Sequence, residues 1–143
     1  MNNYNGILIV NKPSGITSRD VVNIVGKTLN TKKVGHTGTL DPMATGVLVL
    51  CLGNALKVCE LITANDKEYI AKVILGIETE TLDTTSPIIN TKKTNITKEE
   101  IEKVLNSFKG SYLQEVPKYS AVKINGKKLY EYAREGKEIE LPK

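Results

Sequence analysis

The chain has 143 residues, 40% hydrophobic and 25% charged, which is enough for one globular domain that buries a core without disulfide or metal staples. This mixture excludes collagen-like, low-complexity and disordered classes, and no apolar run approaches the ~20 residues needed to span a bilayer. The net charge of +4 lies entirely in residues 1–40, where Lys12, Arg19, Lys27, Lys32 and Lys33 stand against Asp20 alone. Residues 41–143 hold fifteen charges of each sign, yet they gather Lys118, Lys123, Lys127 and Lys128 with no acid between them. Two basic zones suit a polyanion partner, although a set of solvated lysines gives the same pattern. Met1-Asn2-Asn3-Tyr4-Asn5 has neither a basic start nor an apolar signal core, so a cytoplasmic protein with no membrane partner is expected. Cys51 and Cys59 sit in apolar segments and read as small buried hydrophobes; with a single histidine in the chain, no metal-ligand spacing exists.

In chain order, Gly6-Ile7-Leu8-Ile9-Val10 reads as a buried strand, broken by the turn residues Asn11 to Gly15. Thr17 or Ser18 can cap a helix carrying Val21, Val22, Val25 and Leu29 at helical spacing. Val34 to Pro42 is irregular, and Val47 to Leu52 is a continuous apolar strand. Ala55 to Ile62 reads as a short helix with Leu56, Cys59 and Ile62 inward, and the alternation from Lys67 to Leu75 reads as a strand. Glu78 to Asn95 is Thr-rich and turn-rich, hence a surface loop. Thr97-Lys98-Glu99-Glu100 is a capping box opening a helix through Phe108. Tyr119 to Ile124 reads as a strand, Asn125-Gly126 as a turn, and Leu129 to Glu135 as a helix stopped by Gly136. Residues 138–143 read as the start of another element. Strands and helices mix without strict alternation, which favours an α+β fold.

Gly26-Lys27-Thr28 lacks the glycine five positions earlier that a phosphate loop requires and lies within a helix, so it is a surface lysine. A Ser-His-Asp arrangement lacks its nucleophile elbow. The Gly35–Gly46 stretch offers more. Pro42 fixes its own φ and pushes Asp41 toward extended backbone, so the carboxylate is presented from a restrained, glycine-punctuated loop. Such a residue serves a ligand or merely closes an Asx-turn on nearby amides.

Asn11-Lys12-Pro13-Ser14-Gly15-Ile16-Thr17-Ser18 and Gly35-His36-Thr37-Gly38-Thr39-Leu40-Asp41-Pro42, with Ala44, Gly46, Val47 and Leu48, resemble the signature boxes of TruB-type tRNA pseudouridine synthases. Lys67 and Tyr69, Gly76-x-x-Thr79-x-Thr81-x-Asp83, Tyr119-Ser120-Ala121-Val122-Lys123 and Tyr130-Glu131-Tyr132-Ala133-Arg134-x-Gly136 continue the match in order. The resemblance implies a pseudouridine synthase fold, a mixed and mostly antiparallel sheet flanked by helices. It also implies an isomerase that needs no cofactor or metal, converting uridine 55 in the T-loop of tRNA to pseudouridine after flipping the base. By that resemblance Asp41 is the nucleophile, attacking the ribose anomeric carbon or the uracil ring. A carboxylate suits the role because it is ionised at neutral pH without an activating base and also leaves readily. Tyr69 takes the position that stacks on the extruded uracil, where periodicity alone allows a core tyrosine. His36 takes the position that fills the gap in the RNA loop, where the residues alone suggest a solvated histidine. Lys12 and Pro13 match a box that supports the site, and Lys12 and Lys123 are counted with the substrate-binding residues. Residues from about 117 to 143 form a basic segment expected to clasp RNA, with a lysine-dotted hairpin as the alternative.

The pattern departs from the family in two places. Val116-Pro117 stands where two prolines are usual, and the Gly-Thr-Tyr-Ile-Arg-like segment, whose arginine pairs with the nucleophile, is not found. The chain therefore reads as the N-terminal portion of a catalytic domain, without the rest of that domain or a C-terminal RNA-binding extension. A monomer acting on tRNA is expected. The boxes begin within a dozen residues of Met1, which favours the stand-alone form over a guide-RNA-dependent synthase; a non-catalytic tRNA-binding or folding module stays the other alternative, distinguished by whether Asp41→Asn abolishes pseudouridine.

Overall fold

A computed structural model describes residues 4–120 and 122–141, so Ala121 of the Tyr-Ser-Ala box and the end of the expected last element lie outside the described residues. The chain forms two compact units, Met1–Ile70 and Ala71–Lys143. All strand pairs among the described residues are antiparallel and mixed with helices, giving the expected α+β class.

In the first unit β1 (Gly6–Lys12), β2 (Val34–His36) and β3 (Gly46–Leu52) form a sheet in the order β1-β3-β2. Ile9 lies opposite Val49 and His36 opposite Leu50. Helix α1 (Ser18–Thr28) covers one face, burying Val21 and Val22 against Val34, Leu48, Leu50 and Leu52. Leu8, Val10, Ile16, Val25, Leu29 and Leu40 close around this cluster. The expected fully buried first strand is instead two-faced: Ile7 and Ile9 are 54% and 68% exposed, because α1 covers only the face that carries Leu8 and Val10. The stretch expected to be wholly irregular contains β2, since the backbone of Val34–His36 finds partners on β3. Gly46 has φ near +125°, a conformation closed to most side chains, and opens β3 directly after the Asp41 turn.

Helix α1 begins at a reciprocal cap. The Thr17 hydroxyl accepts from the Asp20 amide at 3.0 Å, while the Thr17 amide donates to the Asp20 carboxylate at 2.9 Å. The Thr17 hydroxyl also donates to that carboxylate at 2.6 Å. These side-chain and backbone bonds hold the Asp20 carboxyl below its ordinary value of 3.8. A depressed folded value means the cap is stabilising above the unfolded value and is lost as pH falls through the lower, folded one. An NMR titration of the Asp20 carboxyl carbon is expected to show a midpoint below 3.8, with faster exchange of the Asp20 amide at the acid end. A midpoint at or above that value contradicts the cap.

After β3, a 3₁₀ turn (Gly53–Val58) runs into the short helix α2 (Cys59–Thr63), replacing the single helix expected there. Cys51 is buried and Cys59 half-buried, both with free thiols. Burial pushes the Cys51 thiol up, with further contributions from Cys59.

The second unit holds the hairpin β4 (Ile77–Thr79) with β5 (Ile88–Thr91), helix α3 (Lys98–Ser107), the hairpin β6 (Lys123–Ile124) with β7 (Lys127–Lys128), and α4 (Leu129–Arg134). The segment expected to be a loop thus contains a hairpin, because Ile77 and Thr79 find cross-strand partners in Thr91 and Ile88. Lys67–Leu75, expected as a strand, forms none: no described strand takes its backbone groups, and Ile70 is fully exposed. Of the strand expected over Tyr119 to Ile124, Lys123 and Ile124 form β6, whereas Tyr119, Ser120 and Val122 lie outside any strand. Asn125 and Gly126, at φ +51° and +79°, make the tight turn that joins β6 to β7. Thr97 and Glu100 form the expected capping box of α3.

Candidate active site

The Asp41 turn is assembled from three sequence-distant anchors. Before Asp41, the Leu40 side chain packs against the core of the first unit. The Leu40 amide donates to Ser18 Oγ at 2.9 Å, and the Ser18 hydroxyl donates back to the Leu40 carbonyl at 3.2 Å. After Asp41, the Pro42 carbonyl accepts from the Gly15 amide at 2.8 Å and from Lys12 Nζ at 3.3 Å. Lys12 Nζ also donates to Ile16 O at 2.7 Å and Pro13 O at 2.9 Å. The turn itself closes through the Ala44 amide on the Asp41 carbonyl at 3.0 Å.

Asp41 is exposed, and no hydrogen bond or ion pair from its carboxylate is formed among the described residues. The side chain therefore does not close an Asx-turn, and the turn is held by backbone and neighbouring side chains instead. Two flanks fixed by burial and hydrogen bonding leave a carboxylate presented on a restrained backbone, which is how a reactive group is oriented at low entropic cost.

The same loop walls a cavity of about 360 Å³, within the roughly 300–1,000 Å³ range of small-molecule sites. Thr37 to Leu40, Val47 to Val49, Ile62 and Asn65 to Tyr69 line it. Asp41 follows the lining residue Leu40 in the chain but does not itself line the cavity. Tyr69 contributes an aromatic side chain that is 66% exposed. Lys67 Nζ donates to Thr63 O at 2.6 Å and Asn65 O at 2.8 Å, which fixes the far wall against the end of α2.

The remaining expected site residues are placed less uniformly. His36 ends β2 rather than standing on a solvated loop; it is half-buried, and its Nδ1 is buried without a hydrogen-bond partner among the described residues. Its carbonyl accepts from Cys59 Sγ at 3.3 Å. Lys12 corrects the expectation of a substrate contact. Its relative exposure is 0%, and its ammonium donates to three backbone carbonyls, so in this structure it braces the Asp41 turn from within and offers no exposed surface. Lys123 lies exposed on β6 in the second unit. Nearby in that unit, Lys128 Nζ and Arg134 Cζ each lie 5.3 Å from the Tyr130 ring centroid, a basic and aromatic cluster. Ser18 was legible only as a possible helix cap; the cap is Thr17, and Ser18 is freed to bind Leu40, 22 residues away. Among the described residues no group of three or more His, Cys, Asp or Glu gathers as a metal site.

Fold, boxes and turn together define a class. Residues 26–143 match the N-terminal domain of the TruB family of pseudouridylate synthases, and the chain belongs to that family. At the level of individual proteins, it is 55% identical over 141 residues to tRNA pseudouridine synthase B of Bacillus subtilis, covering 97% of this chain and 46% of that protein. It is 50% identical over 143 residues to the Staphylococcus aureus protein of the same name, covering 98% of this chain and 47% of that one. The chain thus spans about half the length of the curated relatives it matches. Among solved structures, a Cbf5-Nop10-Gar1 complex contains a chain with a TM-score of 0.56 and 28% identity, over 82% of this chain and 31% of that one. An H/ACA RNP bound to a substrate RNA containing 2′-deoxyuridine contains another, with a TM-score of 0.52 and 26% identity over 76% and 29%.

Proposed function

We propose that the protein isomerises a uridine in tRNA, uridine 55 of the T-loop, to pseudouridine, with Asp41 as nucleophile. The observation that carries this reading is an exposed, unpartnered carboxylate on a turn held from both sides, following in the chain the residue Leu40, which with Tyr69 walls a cavity that Asp41 itself does not line. In the route through the sugar, a carboxylate oxygen bonds to the anomeric carbon while the bond to uracil N1 breaks and the base keeps the electron pair. The base turns, uracil C5 attacks the anomeric carbon, and the carboxylate leaves. Loss of the C5 proton and gain of one at N1 complete the isomerisation. In the route through the ring, the carboxylate adds to uracil first; both routes use the same side chain. The aspartate is nucleophile and leaving group in turn, so the chemistry asks for no metal or cofactor.

A uridine inside a folded RNA loop reaches Asp41 only after extrusion, at a cost of a few kcal/mol. Stacking on Tyr69 offsets that cost by roughly 1–3 kcal/mol. Tyr69→Phe is therefore expected to bind tRNA within about twofold of the parent, whereas Tyr69→Ala weakens substrate engagement about 10- to 100-fold, read by tRNA titration and single-turnover rates. Equal behaviour of the two variants contradicts the stacking role. The basic cluster on β6, β7 and α4 is assigned to the RNA backbone.

The naming of the relatives favours tRNA over a guide-RNA-dependent substrate, since identity to the bacterial tRNA pseudouridine synthases B is about twice that to the ribonucleoprotein chains. We place the protein in the cytoplasm as a monomer. Tritium release from tRNA labelled at uracil C5 tests the reaction, because that hydrogen is lost when C5 becomes the glycosidic carbon. The intact protein carrying these residues is expected to release tritium stoichiometrically with pseudouridine. Residues 1–143 alone are expected to turn over poorly or not at all, because the relatives are about twice as long. tRNA binding without release by the intact protein points to a non-catalytic module instead.

A further inference from the structure

We infer that Ser18 is a positioning residue for Asp41: by binding both backbone groups of Leu40 it sets the angle at which the carboxylate is presented. This rests on the reading of Asp41 as nucleophile. Ser18 is the first residue of α1, just inside the Thr17–Asp20 cap, and is 1% exposed. Its hydroxyl accepts from Leu40 N at 2.9 Å and donates to Leu40 O at 3.2 Å, so one oxygen replaces the strand neighbour that this peptide lacks. The helix end carrying Ser18 is fixed by the cap, and the Leu40 side chain is fixed in the core. The hydroxyl is therefore the polar link between a rigid helix and the residue immediately before Asp41. On the other flank the turn has two links to Pro42, from Gly15 and Lys12, whereas the Leu40 backbone is held by Ser18 through both its amide and its carbonyl. Leu40 also lines the cavity, so a shift of its peptide moves the carboxylate and the cavity wall together.

Removing the hydroxyl takes the partner from a half-buried residue's amide and carbonyl together and lets the turn re-seek partners. A displacement of the order of 1 Å in a reacting group costs about 100-fold in rate. The test uses the intact protein, with enzyme in excess over tRNA, so that the single-turnover rate constant at saturation is independent of the folded fraction. Ser18→Ala is expected to lower that rate constant about 10- to 100-fold while tRNA affinity stays within about twofold. Ser18→Thr, which keeps the hydroxyl, is expected to recover most of the loss. A parental rate constant in Ser18→Ala overturns the proposal, as does equal loss in the alanine and threonine variants. Should Ser18→Ala fail to fold, Ser18→Cys, with a weaker hydrogen-bonding atom in the same place, is read by the same criterion. Asp41→Asn is measured alongside. If Asp41→Asn keeps the parental rate, the nucleophile reading fails; if it is inactive while Ser18→Ala is parental, only the positioning role fails.

Discussion

Asp41→Asn in the intact protein is expected to lower pseudouridine formation by about 10⁴-fold or more, with tRNA affinity changed by less than about threefold. The substitution is nearly isosteric, and the Asp41 side chain makes no hydrogen bond or ion pair among the described residues, so little structure depends on its charge. The Leu40 and Pro42 flanks keep their anchors in Ser18, Gly15 and Lys12. What is lost is the ability of an oxygen to form and then release a bond to the nucleoside. Nucleoside analysis of digested tRNA gives the rate, and filter binding gives the affinity. Undiminished product removes Asp41 from the chemistry.

Leu50→Ala is expected to have the largest effect on stability. Leu50 is 0% exposed on the central strand β3 and belongs to the cluster formed by α1 and the sheet. Truncation removes its transfer free energy and leaves a cavity that a three-stranded sheet under one helix cannot readily collapse, a loss of about 3–5 kcal/mol. A fall of more than about 10 °C in the unfolding midpoint follows for a chain of this size, measurable by calorimetry. Leu40 packs on the same cluster, so the loss reaches the Asp41 turn as well as the core. A shift of only a degree or two contradicts the assignment of this cluster as the core.

The parts of the fold that were legible in the sequence are those whose partners do not alter their pattern. Helix α1 announces itself through a capping Thr17 or Ser18 and the spacing of Val21, Val22, Val25 and Leu29, and β3 through an unbroken apolar run. Lys67–Leu75 shows the limit of period-two reasoning: alternation prepares a segment to pair, but a strand exists only where another backbone supplies donors and acceptors. The β4–β5 hairpin was hidden for the opposite reason, since its threonines and turn residues look like loop while Ile77, Thr79 and Ile88 carry the pairing. The restrained backbone of the Asp41 turn was legible because proline and glycine limit it, whereas the role given to Asp41 came from the resemblance of its box to the family's. The contacts that hold the turn were not legible. Lys12 sits at the end of an apolar strand and next to a turn, where a lysine ordinarily reaches water; its burial depends on carbonyls of Ile16 and Pro42 that meet only in three dimensions. Ser18 reads as a cap because capping is local, whereas its bonds to Leu40 close over 22 residues of chain.

The central claim is tested most directly in tRNA from bacterial cells deprived of their own T-loop pseudouridine synthase and supplied with the intact protein. Mass spectrometric mapping of the T-arm is expected to show pseudouridine at position 55 with the parental protein. Unmodified uridine at that position, with the protein soluble, folded and bound to tRNA, contradicts the account.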